Sequence, residues 1–309
     1  MSSFALWFDK VTTNPEEDFA DVHFNLWNLH YRKAQPPCLD VGIKIKKPNN
    51  YSKIYMYLPF EISSNQLEDL GVALKESDIL CTVFNEDYSL VQSAQSKVLK
   101  VTSNTGKDKI NIYCLDVESD IIIEKKYNGT LISFSRPEAL KDSKEIEYYR
   151  FRINSAKLNC IIKKYSPKNI FLQSAFSVQE AIDFRFNDYR TLPLSLVEQI
   201  RKDNGYKIGK VHFLLITEAN VDLDFCSTSP SARELEYNVW KKYYKKLGNK
   251  KVVAYHWKVK SENKEKLIEN CIMFVKNKVH KCNFLTIGLY LFIAGGLAVL
   301  FNYISSLLF

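Results

Sequence analysis

The sequence predicts an α+β protein: a β-rich, antiparallel, sandwich-like body, a smaller mixed α/β part, and one C-terminal transmembrane helix. Three observations predict it. Apolar residues alternate with polar ones in many short runs over the first half, which is the pattern of half-buried strands. After Pro167, runs with helical spacing interleave with strand-like runs. Phe284 to Phe309 contains no charged residue.

In chain order, Asn14-Pro15-Glu16-Glu17 reads as a helix start, with Asn as N-cap, Pro at the first helical position and an acid at the third. Strand patterning follows at Val22, Phe24 and Leu26, at Leu39, Val41, Ile43 and Ile45, and at Ile54, Met56, Leu58 and Phe60. Leu67–Leu74 fits either a helical turn or a loop. Further strands are expected at Ile79–Phe84, Lys97–Val101, Ile110–Leu115, Tyr148–Ile153 and Leu158–Lys163. Asn128-Gly129 reads as the type I′ turn of a hairpin between Ile121–Tyr127 and Thr130–Phe134. These elements define a first domain, 1–166.

The mixed part, 167–260, is expected to hold Val178–Phe186, Leu194–Asp203 and a strand at Lys210–Thr217. It continues with a helix opened by Ser231 and Glu234 as a capping box, striped by Leu235, Val239, Tyr243 and Leu247, and stopped at Gly248. A strand at Val252–Val259 precedes an amphipathic juxtamembrane helix in 261–283. Its apolar face would carry Leu267, Ile268, Cys271, Ile272, Val275 and Val279. That helix runs into the tail, 284–309, with no Pro or Gly between, as a stiff rod would.

Twenty-six helical residues reach roughly 39 Å against a hydrocarbon core of about 30 Å. Of the net charge of +8, a local +10 lies between Trp240 and Lys281, where 13 lysines face Glu262, Glu265 and Glu269. Basic residues abut the tail on its N-terminal side, which by the positive-inside rule places the body in the cytoplasm. The lysines Lys241, Lys242, Lys245, Lys246, Lys250 and Lys251 suit attraction to anionic lipid, at about 1 kcal/mol each near the surface; a solvated helix face or nucleic acid would use them too. The N-terminus has no basic n-region, and seven scattered cysteines without C-x-x-C fit a reducing compartment. Within the tail, Gly288, Gly295 and Asn302 recur every seven residues, with Ala298 and Ser305 on the same side. Small residues permit close helix approach and a polar residue in lipid seeks a partner, so this face predicts a homo-oligomer; plain anchoring is the alternative.

No nucleotide-loop, nucleophile-elbow or zinc-protease signature is present, and the five histidines lack metal-ligand spacing. The expectation is a non-enzyme without metal or cofactor. Asp183–Pro193 alternates arginines with aromatics, which suits phosphates and bases through Arg185 and Arg190. An internal Arg–Asp network is the competing reading. The loop Ser227–Arg233 offers a second anion site at a helix start, with Arg233.

In layout, through the uncharged tail with its Gly288/Gly295/Asn302 face and the β-rich body without a catalytic motif, the chain resembles the membrane effectors of bacterial antiviral defence systems. The resemblance implies a cytoplasmic domain that senses a ligand, a nucleotide or oligonucleotide, and an oligomer whose tails disrupt the membrane. A tail-anchored tether or scaffold whose body binds another protein is the alternative, and a membrane-bound enzyme a third.

Overall fold

The computed structural model describes residues 3–10, 19–30, 36–91, 97–106, 108–165, 177–203, 207–261, 268–280 and 284–308. The first strands follow the alternation of the sequence: β1 (Ala5–Lys10), β2 (Phe19–Trp27), β3 (Cys38–Ile45) and β4 (Tyr51–Leu58). After β5 (Leu67–Asp69) and a 3-10 turn at Val72–Lys75 comes α1 (Ser77–Phe84). Then follow β6 (Tyr88–Leu90), β7 (Val98–Ser103), β8 (Lys109–Tyr113), β9 (Ile122–Lys126), β10 (Gly129–Ser135), β11 (Ile146–Asn154) and β12 (Ile162–Tyr165). The second half contributes β13 (Ser177–Phe186), α2 (Leu194–Asp203), β14 (Lys207–Glu218), β15 (Val221–Cys226), β16 (Ser231–Glu234), α3 (Tyr237–Tyr243), β17 (Val252–Lys260), β18 (Cys271–His280) and α4 (Phe284–Leu308).

Three sheets form. The largest has ten strands, in the order β16-β17-β14-β2-β3-β11-β8-β7-β6, with β5 added beside β11. Two four-stranded sheets, β1-β4-β10-β9 and β12-β13-β18-β15, face it. Between them lies the main core. Phe24, Val41, Phe151 and Phe213 come from the large sheet, Ile54 and Phe134 from one small sheet, and Phe184 and Val275 from the other. The body is a β-sandwich in this sense, but not wholly antiparallel: β14 runs parallel to β2, and β8 parallel to β11. Because β14 and β17 extend the sheet begun by β2 and β3, strands from either side of residue 166 share one sheet and one core. On the outer face of the large sheet, α1 and α3 cover a second apolar cluster around Trp27, Leu80, Tyr148 and Trp240. On the outside of β1 and β4, α2 covers Trp7 and Tyr57.

Four expectations are corrected. Ile79–Phe84 is helix α1, not strand: its continuous apolar run suits either, and it buries Ile79 and Leu80 before ending at Asn85, whose φ of 53° is left-handed. The long helix from Ser231 is instead strand β16, paired with the edge of β17, followed by the shorter α3 and a 3-10 turn to Leu247. An open sheet edge offers a whole row of hydrogen bonds, more than a capping box supplies. The juxtamembrane rod is not a helix over 271–280: β18 is a strand between β13 and β15, with Cys271, Met273, Val275, Asn277 and Val279 buried in strict alternation. Cys271, Val275 and Val279 satisfy both periods at once, which is why spacing alone favoured a helix. Leu158–Lys163 begins as a 3-10 turn, Ala156–Ile161, before β12.

The 128–129 hairpin forms one residue earlier than expected. Tyr127 and Asn128 both take positive φ, as a type I′ turn requires, and Gly129 opens β10. A Cβ on Gly129 would sit 2.2 Å from the carbonyl oxygen of Leu58, so the close approach of β4 demands glycine there. The helix start at Asn14 lies outside the described residues. In α4, the stretch Ile287–Leu308 is long and apolar enough to cross a membrane, and none of it is buried against the body.

Candidate functional site

Alternation sends one face of the large sheet into the main core; the other face carries both the second apolar cluster and, between β17 and β11, a group of polar side chains. Rows of residues cross the strands in register on that second face. One row runs Lys258, His212, His23, Gly42 and Arg150, through β17, β14, β2, β3 and β11. The next runs His256, Leu214, Asn25, Asp40 and Arg152. Three histidines from distant parts of the chain are thereby brought side by side. The His23 and His212 rings lie 4.6 Å apart, and those of His212 and His256 lie 5.1 Å apart at 12°. His212 Nδ1 and His256 Nε2 are hydrogen bonded at 2.9 Å.

Above this floor, the end of α1 (Thr82 to Glu86), Trp240 of α3 and the β16 edge at Ser231–Arg233 enclose a cleft of about 420 Å³. Arg150 and Lys258 line it as well, and Arg233 stands at its side with Nη1 donating to Asn85 Oδ1 at 3.2 Å.

Arg150 is almost fully buried and held from below. Its Nε donates to Tyr243 Oη at 2.7 Å and its Nη1 to Tyr148 Oη at 2.8 Å. Its Nη2 has no hydrogen-bond partner among the described residues and lies 3.9 Å from Asp40 Oδ2. Asp40 is committed elsewhere, accepting from Arg152 Nε at 2.6 Å, Trp27 Nε1 at 2.9 Å and Tyr243 Oη at 2.8 Å. Burial opposes the Asp40 charge, but Arg152 and Arg150 outweigh it and hold the carboxyl below its ordinary range. Two guanidinium groups therefore share Asp40; Arg152 also reaches Glu68, 3.8 Å from its Nη1, while Arg150, on the cleft side, has only the shared carboxylate. Gly42 makes this packing possible: a Cβ there would meet Tyr148 Oη at 2.3 Å and Arg150 Nη1 at 3.1 Å.

Burial first, and neighbouring groups that repel a further positive charge second, disfavour the charged form of each imidazole. Burial and then the neighbouring His212 and Arg150 push His23 well below its ordinary value. Burial, His256 and the lysines Lys258, Lys210 and Lys260 bring His212 down to about 3. Burial, Lys258 and Arg233 lower His256. A cationic cleft floored by uncharged imidazoles is arranged to receive an anion, whose charge offsets the repulsion among these groups. No group of three or more His, Cys, Asp or Glu among the described residues is placed to hold a metal ion.

Of the ligand-binding residues expected from sequence, only Arg233 reaches this cleft. Arg185 sits at the other side of the molecule in β13, bidentate on Asp183 at 3.0 Å through Nε and Nη2, with Nη1 3.4 Å from Asp188. Arg190 Nε donates to Asp188 at 2.9 Å. Phe184 and Phe186 are core, packed on Phe24. The internal Arg–Asp network is the arrangement found, and it is already neutralised. The Ser227–Arg233 loop leads into β16 rather than a helix, so no helix terminus faces it. Gly288 and Gly295 have open space around them, and Ala298 and Asn302 are exposed on the same helix.

The histidine row was missed because its members are up to 233 positions apart, but a signal existed. Val22-His23-Phe24 and Val211-His212-Phe213 are the same tripeptide, and the two copies pair in register on parallel strands. The chain matches no protein-family model and no curated protein.

Proposed function

We propose that this chain is a single-pass membrane protein whose cytoplasmic body binds an anionic ligand in the histidine–arginine cleft, and that binding drives the α4 tails to disrupt the membrane. The observation that carries this is the cleft itself: a buried, under-neutralised Arg150 beside three neutral imidazoles, with room for one small molecule. Sites for small molecules typically enclose roughly 300–1,000 Å³, so the cleft suits one nucleotide-sized ligand better than an extended oligonucleotide. The uncharged α4 and the lysines Lys276 and Lys278 on its N-terminal side support a membrane anchor with the body in the cytoplasm. The layout-level resemblance to antiviral membrane effectors points the same way. The Gly288/Gly295/Asn302 face of α4 supports self-association of the tails.

The reading is tested by expressing the full chain, a chain ending before residue 284, and an Arg233→Ala/Lys258→Ala variant in bacteria while following membrane potential with a dye. Depolarisation by the full chain alone, lost in both altered forms, is the expected result. Unchanged potential in all three would leave the body as a tether.

A further inference from the structure

Resting on the reading of the cleft as an anion site, we infer that the lysines beside it form a second phosphate subsite. Lys210 of β14, Lys258 and Lys260 of β17 and Lys44 of β3 make it, so that the ligand carries a chain of linked phosphates, as a nucleoside di- or triphosphate does.

Strand register places these charges together. Next to the row of Lys258, His212, His23, Gly42 and Arg150 runs a row of Lys260, Lys210, Asp21 and Lys44, through β17, β14, β2 and β3. Residues two apart on a strand share a face, so the rows lie side by side, roughly 7 Å apart along the strands. Lys260 stands directly opposite Lys210, and Lys258 is diagonal to it. Like charges directly opposite each other on a sheet are destabilising, so the arrangement costs stability until an anion joins it. One carboxylate stands in the row, and it is shared: Asp21, nearly buried, lies 3.1 Å from Lys46 Nζ and 3.8 Å from Lys210 Nζ. Lys44 lies 3.7 Å from Asp108. Lys258 and Lys260 are exposed and form no ion pair among the described residues.

The position of the two rows selects the partner. Arg150 and Lys258 line the cleft, and Lys210 and Lys260 lie one row beyond it, so a phosphate chain that starts in the cleft can reach both rows. A single small anion can occupy only one. Lysine suits such a chain, as a point charge that follows phosphate oxygens without a fixed geometry. The carboxylate of Glu86, which also lines the cleft, accepts from Tyr88 Oη at 2.9 Å and leaves the lysines in excess. A bilayer is the poorer partner. Lys210 stands eight residues, roughly 27 Å, from Glu218 along β14. The chain leaves for α4 at the Glu218 end, where Val221 pairs with Val279. A polymer is disfavoured as well, because α1 and α3 close the cleft to about 420 Å³, room for one small molecule.

The test is calorimetry on the full chain in nanodiscs at physiological salt, with sulfate, tripolyphosphate and ATP as probes. Lys210→Gln/Lys260→Gln removes two charges outside the cleft. Lys250→Gln/Lys251→Gln removes two at the opposite end of β17 and controls for net charge. The parent is expected to bind tripolyphosphate more tightly than sulfate. In Lys210→Gln/Lys260→Gln, tripolyphosphate and ATP should lose about tenfold or more, as when charge-assisted contacts are removed. Sulfate should stay within about twofold, since screening acts over about 8 Å. Lys210→Arg/Lys260→Arg should bind like the parent. The Gln variant should melt at or above the parent's midpoint, because the like-charge pair is gone, which separates lost binding from lost folding. Tighter binding of ATP than of tripolyphosphate assigns the enclosed end of the cleft to a nucleoside, and the reverse assigns the site to an inorganic oligophosphate; either supports the subsite. Unchanged tripolyphosphate affinity in the Gln variant, an equal loss for sulfate, or an equal loss in the Lys250/Lys251 control overturns the subsite and leaves the cleft a single-anion site. Tighter binding of an RNA oligonucleotide than of ATP overturns the small-ligand assignment. No binding of any probe by the parent overturns the anion reading itself.

Discussion

At Gly42 one missing methyl group decides the geometry of the cleft. Tyr148 Oη crosses over this position to accept from Arg150 Nη1, so Gly42→Ala would drive the phenol and the guanidinium apart. Overpacking of this kind costs about 1–3 kcal/mol. The expected outcome is a lower denaturation midpoint together with weakened anion binding, read from urea melts and sulfate titration of the same preparation. The histidines make a second expectation. Their folded-state pKa values lie below the ordinary 6.5, so the unfolded chain binds more protons than the folded one as pH drops. Their contribution to stability is full above about pH 6.5 and is lost as pH falls toward the folded values, at about 1.4 kcal/mol per pH unit for each ring that must stay neutral. Thermal melts of the unliganded protein should show a midpoint falling between about pH 6.5 and 5, and His256→Gln should flatten that fall. Arg185 belongs to a different account. It neutralises Asp183 and Asp188, which are nearly buried. Arg185→Ala should therefore destabilise by roughly 1.5–3 kcal/mol, the range for hydrogen bonds to charged groups, and leave anion binding unchanged.

Among the elements, what the sequence made legible depended on whether the two periodicities could be told apart. β2, β3, β4, β11 and β17 alternate cleanly over several residues, and each was readable as a strand. In β18 the residues Cys271, Val275 and Val279 lie on one face under either period, and the decisive fact, buried Asn277 between them, looked polar and therefore exposed. For α1 the reverse holds: in Ile-Leu-Cys-Thr-Val-Phe only Thr82 is polar, too little to set a period, and its packing against the large sheet fixes it as helix. β16 is set by a partner edge some 20 residues away, which local capping signals do not register. The cleft was illegible for the same reason, since three strands, β2, β14 and β17, must be in register before His23, His212 and His256 meet. The correction at β18 changes how the tail is joined to the body. α4 follows a strand held by ladders on both sides, so hydrogen exchange in the full chain should protect the amides of Met273–Val279 as strongly as those of β13. In α4 itself, replacing Gly295 with Leu should block close helix approach and Asn302 with Leu should remove an interhelical bond worth roughly 0.6–2 kcal/mol. Crosslinking in membranes is expected to fall for both.

For the whole molecule, the layering assigns separate roles to separate faces. The apolar side of the large sheet, closed by the two small sheets, stabilises the body. Its other side, where α1 and α3 cover the second apolar cluster, also carries the cleft proposed to receive a ligand, and the link to α4 leaves the opposite small sheet through β18. The central claim is that this cleft receives an anion, and equilibrium binding of sulfate to the full chain in nanodiscs, with and without Arg233→Ala/Lys258→Ala, tests it most directly. Both side chains are solvent-facing at the cleft, so their loss should leave the fold intact. The account predicts binding by the parent and at least about a tenfold loss in the double variant, as expected when about 1.4 kcal/mol of charge attraction is removed. Equal affinity in the two proteins, or no binding by the parent, would contradict it.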